Sequence, residues 1–366
     1  MKKGLALFLA IAMSLTLLAG CGAKTAASST ATAASSGAAS TAASSTADKP
    51  GKGMKIALVC DKVGTQVFLT QMVKALNEGA ETYGYEATVA ECADSAAYEQ
   101  NMRDLVAEKY DLIIGGGWQA GDAINKVATE FPDACDYALI DSEVEAENVK
   151  CISYREQEGA YLIGVLAALT TDGESHTYGS VHVNEGPGSW KWRYGYMEGV
   201  LSQDPQAKFI FNYVGSYSDP AKAKELALQQ YEQGCVFINS AAAGGDSGTF
   251  EAAKEKGFYT SGQDVDLTTP DNPYIVSSQI KDTYQSVKLV IDEYFSGNWN
   301  TENSVWGLKE GTIGAVYVTH ETTTPRSDRL SDEDIAKAKQ IADDIRTGKL
   351  DLTNMPTEED YNAKKG

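Results

Sequence analysis

Apolar and polar positions alternate regularly along the chain from Met54 onward. Short apolar runs such as KIALVC at 55–60 are typical of buried strands, and each precedes a stretch with apolar residues at helical spacing. Gly84 marks the end of the first helical stretch. The repeated order predicts parallel sheets flanked by helices. The first series comprises strands at 55–60, 86–92, 111–117 and 136–142, with helices at 67–84, 98–110 and 120–132.

The pattern restarts after a strand-like and then largely apolar helical segment at 151–171. A second strand and helix series runs from 177 to 266, a strand and long helix follow at 274–297, and a last helix lies at about 332–347. We therefore expect two α/β lobes and a tail. Their predicted bounds are 54–172 with 278–305 for the N-terminal lobe, 173–277 with 306–350 for the C-terminal lobe, and 351–366 for the tail.

The first 53 residues have a different character. Lys2 and Lys3 precede a short apolar run, and LAGC at 18–21 resembles a lipobox, which predicts a signal peptide at 1–20 and an acylated Cys21 as the mature N-terminus. An ordinary signal peptide with a chance cysteine is the alternative. Residues 21–53 are mostly Ala, Ser, Thr and Gly, a composition that predicts a flexible tether. We expect a lipid-anchored protein on the extracytoplasmic face of the cell membrane.

Composition narrows the classes of partner. The net charge of −20 disfavours nucleic acid and anionic lipid. Beyond Cys21 the chain has five cysteines without a CxxC pair, and their apolar surroundings favour buried free thiols. The three histidines lack ligand-like spacing, so we predict neither a metal site nor a cofactor. The five cysteines are Cys60, Cys92, Cys135, Cys151 and Cys235.

Familiar catalytic and nucleotide-binding motifs are weak in this chain. GGGWQAGDA at 115–123 meets only the looser dinucleotide fingerprint, and Trp118 is bulky for a turn that approaches pyrophosphate. Neither GxSxG nor a paired Cys and His occurs. Glu156 and Glu158 could be paired carboxylates, but they precede a helical run, where acidic residues complement the helix N-terminus. We expect no enzymatic activity.

The loops after the strands carry residues suited to a polar molecule with a ring. Aromatic faces stack on planar rings, and carboxylates accept hydrogen bonds from hydroxyl and N–H groups. Strand ends in parallel sheets are common ligand sites. Each residue alone is weak, since a Phe on an apolar stripe is often core and an Asp at a helix start is often a cap. The candidates are Asp61, Phe68, Trp118, Asp122, Tyr217, Asp264 and Lys281.

Several long stretches resemble the basic membrane protein family, lipoproteins that serve as substrate-binding subunits of ABC transporters and often bind nucleosides. The resemblance covers roughly residues 54–345 and is strongest in four segments. It implies a two-lobed type I periplasmic-binding-protein fold, a ligand held between the lobes and closure by a hinge. The four segments are REQEGAYLIGVLAAL (155–169), NYVGSYSDPAKAKELALQQYEQG (212–234), AAAGGDSGTFEAAKEKG (241–257) and GLKEGTIG (307–314).

The resemblance also implies roles for single residues. Asp61, Asp264 and Lys281 match positions that bind ribose hydroxyls in nucleoside binders. Phe68 and Tyr217 match rings that sandwich the base. In the same way, Asp122 matches a carboxylate that reads a base N–H, and Gly245 lies in the glycine loop near the sugar.

The first loop departs from the family pattern, because DKVGTQVFLTQ lacks the paired acids and has Leu69 and Thr70 after Phe68. Trp118 and the cluster Trp190, Trp192, Arg193 and Tyr194 add bulk that would suit a larger ligand such as riboflavin, or that packs the lobe. We expect a monomer that binds a nucleoside, a purine nucleoside first of all, and docks on an ABC permease. A ligand receptor without transport and a nucleoside hydrolase are the alternatives from other classes.

Overall fold

The computed structural model describes residues 49–64, 66–171 and 175–365. The predicted signal peptide, Cys21 and the tether as far as residue 48 lie outside the described residues. Residues 49–53, which the composition assigns to the tether, form a turn in which the Gly51 amide donates to the Tyr83 carbonyl at 2.8 Å. Gly51 is buried, so the folded body starts before Met54.

The first sheet has six strands that are all parallel. Its order is β11-β5-β4-β3-β1-β2, and its helices are α1 (Val67–Tyr83), α2 (Ser95–Ala107), α3 (Gly121–Glu130) and α8 (Thr283–Ser296). The strands are β1 (Lys55–Asp61), β2 (Glu86–Cys92), β3 (Leu112–Gly116), β4 (Asp136–Ile140), β5 (Val149–Tyr154) and β11 (Ser304–Trp306). Gly84, at φ 87°, ends α1 as predicted.

The second sheet also has six strands, in the order β12-β10-β9-β8-β6-β7, and only β12 runs antiparallel to its neighbour. The strands are β6 (Thr177–His182), β7 (Lys208–Tyr213), β8 (Phe237–Ala241), β9 (Tyr259–Asp264), β10 (Ile275–Lys281) and β12 (Ile313–Ala315). The helices are α4 (Glu156–Thr170), α5 (Pro187–Leu201), α6 (Pro220–Glu232), α7 (Asp246–Lys256), α9 (Asp332–Arg346) and α10 (Glu358–Lys365).

The chain passes between the two sheets three times. It leaves the first sheet after β5, returns between β10 and α8, and leaves again between β11 and β12. All of β10 pairs within the second sheet, so the return falls at Asp282, four residues later than the bound expected from the sequence. Helix α4 packs on α5, α9, β10 and β12, which places it with the second sheet although the sequence assigned it to the first lobe.

Helix α4 has 14 of its 15 residues buried, which explains why most of its sequence is apolar on all sides. It packs closely against α5, and a Cβ at Gly164 would lie 2.2 Å from the Tyr196 carbonyl oxygen. The close approach of the two helices therefore requires glycine at this position. Since α4 also touches β10 and β12, it connects the second sheet to its outer helix layer.

The predicted tail contains the helix α10, which packs on α5. Arg193 donates through both terminal nitrogens to the Glu358 carboxylate at 2.6 Å each, and Trp190 Nε1 donates to the Pro356 carbonyl at 2.9 Å. Tyr361 contacts the Trp190 ring at 5.3 Å between centroids. Trp190 and Arg193 therefore pack the lobe, the second of the two readings that the sequence left open.

Two smaller findings complete the fold. The five cysteines of the described residues are free, and four of them are buried, as predicted; Cys135 is partly exposed. Among the described helices, none combines the length and apolar character that crossing a membrane requires.

Candidate functional site

A cleft of about 1310 Å³ lies between the two sheets, at the carboxyl ends of their strands. Loops after β1, β3 and β4 supply one wall, and loops after β6, β8 and β9 supply the other. The strand-end geometry that favours ligand binding in α/β sheets is thus present on both sides. The charged residues of the lining are Asp61, Asp141, Glu143, Glu156, Glu185, Asp246, Asp264, Lys191 and Lys281.

Lys281, at the end of β10, joins the two walls of the cleft. Its Nζ lies 2.6 Å from Asp141 Oδ1, which follows β4, and 2.9 Å from Glu156 Oε1, at the start of α4. Burial disfavours its charge, yet the two carboxylates raise the pKa of Lys281 above its ordinary value. The side chain is therefore a fixed cation in a cleft dominated by acids.

Glu156 is held by a second lysine as well. Lys191 Nζ, on α5, lies 3.2 Å from Glu156 Oε2 and donates to the Tyr154 carbonyl at 2.8 Å. Burial raises the pKa of Glu156, but the attraction of Lys281 and Lys191 outweighs it and leaves the pKa below the ordinary value. The network fixes charged side chains at the first crossing between the sheets.

Asp264 closes β9 with φ of 67°, in the left-handed region that Asp tolerates better than most residues. It is 5 % exposed, and burial together with nearby Asp141 raises its pKa to about 6 despite Lys281. Asp141 has the same left-handed backbone, with φ of 72°. Both strand ends thus place a carboxylate at the cleft. Their backbone is left-handed, a conformation that glycine, Asp and Asn adopt more readily than other residues.

Aromatic rings line the mouth and the walls of the cleft. Trp118 is 57 % exposed and its Nε1 donates to the Tyr217 hydroxyl at 2.9 Å, so the two walls touch across the mouth. Phe68 lies deeper, with its ring centroid 5.4 Å from Lys281 Nζ. Trp192 and Phe250 also belong to the lining. The walls therefore offer flat apolar surfaces next to charged groups.

His182 adds a neutral polar group to the lining. Burial lowers its pKa to about 3, with a further contribution from Arg193, so the ring is uncharged at neutral pH. Its Nε2 lies 2.8 Å from Ser180 Oγ. This histidine could not be singled out from the sequence, because its position depends on the pairing of β6 between β7 and β8.

The cleft brings together six of the eight predicted ligand-binding residues: Asp61, Phe68, Trp118, Tyr217, Asp264 and Lys281. Asp122 and Gly245 are not among the lining residues. Asp122 is exposed on the first turn of α3, beyond the rim of the cleft that Trp118 occupies. Gly245 is buried, and its neighbours Gly244 and Asp246 belong to the lining instead. The part of all eight in binding stays a prediction.

Six of the nine charged lining residues are not among the predicted binding residues. Among them, Glu156 is assigned to the helix start by the sequence, and Asp141 and Asp246 have no predicted role. Glu158 keeps the structural role, since its Oε1 accepts from Arg155 at 2.7 Å and its Oε2 from the Leu308 amide at 2.7 Å. The usable signal was the position of Asp141 and Asp246 next to predicted strand ends.

The comparison with known families decides the assignment. The model of the Bmp family, described as ABC transporter substrate-binding protein PnrA-like, matches residues 55–351. The chain belongs to this family. The resemblance found in the sequence and the expected two-lobed periplasmic-binding fold are both confirmed.

Similar proteins support the same family assignment. Basic membrane protein A2 of Borrelia garinii is 29 % identical over 66 % of this chain and 76 % of its own length. An uncharacterized lipoprotein of Pyrococcus abyssi is 29 % identical over 59 % of this chain and 58 % of its own length. The crystal structure of an ABC transporter solute-binding protein from Aeropyrum pernix superposes on this structure with a TM-score of 0.74 and 21 % sequence identity. The match covers 85 % of this chain and 96 % of that protein, and it shows that the two share a fold.

Proposed function

We propose that this Bmp-family protein is an extracytoplasmic lipoprotein, anchored through Cys21, that binds a nucleoside between its lobes and delivers it to an ABC permease. The observation that carries the ligand class is the combination of flat aromatic walls with buried carboxylates and Lys281 in one cleft. A nucleoside has both a planar ring for the walls and hydroxyl and N–H donors for the acids. The lipoprotein character rests on LAGC at 18–21 and on the name of the Pyrococcus relative.

The carboxylates give such a site its selectivity. Asp264 is buried, and its ionisation is unfavourable because the cleft does not hydrate the carboxylate. A ribose hydroxyl that donates a hydrogen bond to Asp264 would replace the missing hydration. Lys281 is already oriented by Asp141 and Glu156, which leaves its position defined before ligand arrives. A preorganised cation and acceptor lower the ordering cost of binding.

A larger ring-bearing ligand such as riboflavin is the second candidate. The cleft volume of about 1310 Å³ exceeds the roughly 300 to 1000 Å³ of ordinary ligand pockets. Trp118 and Trp192 in the lining would supply flat faces for a wider ring system. In either case the protein binds its ligand and releases it unchanged.

The test is a thermal-shift screen of the full chain against nucleosides, bases and riboflavin, followed by calorimetry. A ligand at a hundredfold its Kd should add about 2.7 kcal/mol to the free energy of unfolding. Asp264→Asn preserves the left-handed backbone and should lower affinity about tenfold or more, because the charged acceptor is lost.

Asp266→Asn is the matched control. Asp266 lies two residues further along, is exposed and bonds Thr268 rather than the cleft, so its substitution should leave affinity unchanged. A wild type that shifts with riboflavin alone would replace the nucleoside by the second candidate. A wild type that shows no shift with any nucleoside would refute the leading proposal.

A further inference from the structure

Asp246 is the first residue of α7 and lies in the cleft wall formed by the second sheet. It is 3 % exposed. Its Oδ1 accepts two hydrogen bonds at 2.7 Å, from Ser240 Oγ and from the Ala242 amide. These bonds close the turn between β8 and α7 and fix the plane of the carboxyl group.

The second oxygen of the same carboxyl group has no such partner. Oδ2 of Asp246 is buried and accepts no hydrogen bond from the described residues. A helix-capping or turn-closing role accounts for Oδ1 alone. A buried carboxylate oxygen without a donor is unfavourable, and such atoms in native proteins call for an explanation.

The charges around Asp246 also oppose a purely structural role. Burial, and then repulsion by Asp264, raise its pKa to about 7. The two lysines of the lining have other partners, since Lys281 pairs with Asp141 and Glu156 and Lys191 pairs with Glu156. In the described part of the cleft, no cation is paired with Asp246, so its Oδ2 has no charged partner there.

We propose that Asp246 is a ligand-binding and specificity-determining residue, whose Oδ2 accepts a hydrogen bond from an N–H or O–H group of the bound molecule. This inference rests on the proposed nucleoside-binding function and assigns a residue to it that the family resemblance did not indicate. A phosphate or carboxylate group is excluded as the partner, because Asp246 and Asp264 would both repel it. Because Oδ1 is held in the turn, Oδ2 has a fixed position and can distinguish ligands that differ by one hydrogen-bond donor.

The experiment compares calorimetric affinities of the full-chain wild type, Asp246→Asn and Asp219→Asn. Asn retains the oxygen that Ser240 and Ala242 need, but places an N–H donor where Oδ2 was. Asp219 is the control, because it also accepts a helix amide, from Lys222 at 2.9 Å, at the start of the neighbouring α6, and it is outside the cleft lining. The probes are guanosine, inosine, adenosine, purine riboside and 2′-deoxyguanosine.

These probes form pairs that differ by one donor: the 2-amino group, the 6-amino group or the 2′-hydroxyl. We expect Asp246→Asn to weaken the tightest probe by about tenfold to a hundredfold, with Asp219→Asn within about twofold of wild type. The pair whose affinity ratio collapses toward one in Asp246→Asn identifies the donor that faces Oδ2.

The possible failures are distinct. If wild type binds a nucleoside and Asp246→Asn binds it within about fivefold, or if the control loses as much, Asp246 is a structural acid and the inference is wrong while the proposed function stands. If wild type binds none of the probes, the proposed function fails and this inference fails with it. A fold check by circular dichroism on both variants ensures that a lost affinity is not lost structure.

Discussion

At the scale of single residues, the buried carboxylates of the cleft lower the stability of the fold when they are ionised. Burial raises the pKa of Asp246 to about 7 and that of Asp264 to about 6, above the ordinary value of about 3.9 for Asp. A group whose pKa is raised by folding contributes most to stability below its unfolded pKa, where it is protonated in both states. That contribution is lost as the pH rises through the folded pKa.

We therefore predict that Asp246→Asn gains stability relative to wild type as the pH rises. At pH 4 the two proteins should be similar, and above pH 7 the variant should be more stable by on the order of 2 kcal/mol, since it no longer ionises a buried group. Urea unfolding without ligand at the two pH values measures the difference. Asp219→Asn, whose parent carboxylate is less buried and bonds a helix amide, should show no gain.

The sequence predicted those cleft residues whose place in the fold follows from their position at the end of a strand. Asp61 and Asp264 end strands, and parallel strands bring such ends to one edge, so their convergence followed from the strand prediction. Asp122 lies outside the cleft lining because a helical turn separates it from the rim at Trp118, and its part in binding stays a prediction. Glu156 and Asp246 stand at helix starts, where the sequence cannot distinguish a cap from a group that tertiary packing turns into the cleft.

At the scale of elements, the ion pair between Arg193 and Glu358 holds α10 on the second lobe. The guanidinium is buried and also contacts the rings of Trp190, Phe211 and Tyr213 at 5.3 to 5.7 Å. Glu358 is about a third exposed, so solvent weakens the pair relative to a fully buried one.

We predict that Glu358→Ala lowers the free energy of unfolding by about 1 to 2 kcal/mol, because it leaves a buried guanidinium without its acceptor. Urea unfolding at neutral pH provides the measurement. Glu359→Ala removes a neighbouring exposed carboxylate and should leave stability nearly unchanged. Equal losses in the two variants would show that α10 contributes through general helix charge instead of this pair.

The long elements were predictable and the short ones were not. Strands β1 and β2 and the helix α1 have clear periodicity, and Gly84 gives α1 its end. The three-residue strands β11 and β12 have too few positions to show a period. Helix α10 is strongly polar, and its place on α5 depends on the distant Trp190 and Arg193.

At the scale of the whole molecule, the hydrogen bond between Trp118 and Tyr217 spans the mouth of the cleft. It joins a loop of the first sheet to a loop of the second and is exposed to solvent. A neutral hydrogen bond of this kind contributes roughly 0.5 to 1.5 kcal/mol. That amount would be enough to bias the hinge closure that the family resemblance implies for the two lobes.

We predict that Tyr217→Phe, which keeps the ring and removes the acceptor, shifts the ligand-free protein toward an open form by about twofold to tenfold. Small-angle X-ray scattering should then give a larger radius of gyration for the variant. Tyr231→Phe, a change on the outside of α6, should leave the scattering curve unchanged. Identical curves for wild type and Tyr217→Phe would show that the bridge does not control closure.

The three passages of the chain between the sheets also govern the order in which the protein can fold. Strand β11, which pairs with the edge of β5, comes from residues 304–306, about 150 residues after β5 itself. A nascent chain therefore completes the second lobe's β6 to β10 while β5 still presents unpaired backbone groups, the kind of edge that invites association with other chains. The first sheet therefore stays incomplete until β11 has been made, and a chain cut anywhere before residue 304 would leave that edge open permanently.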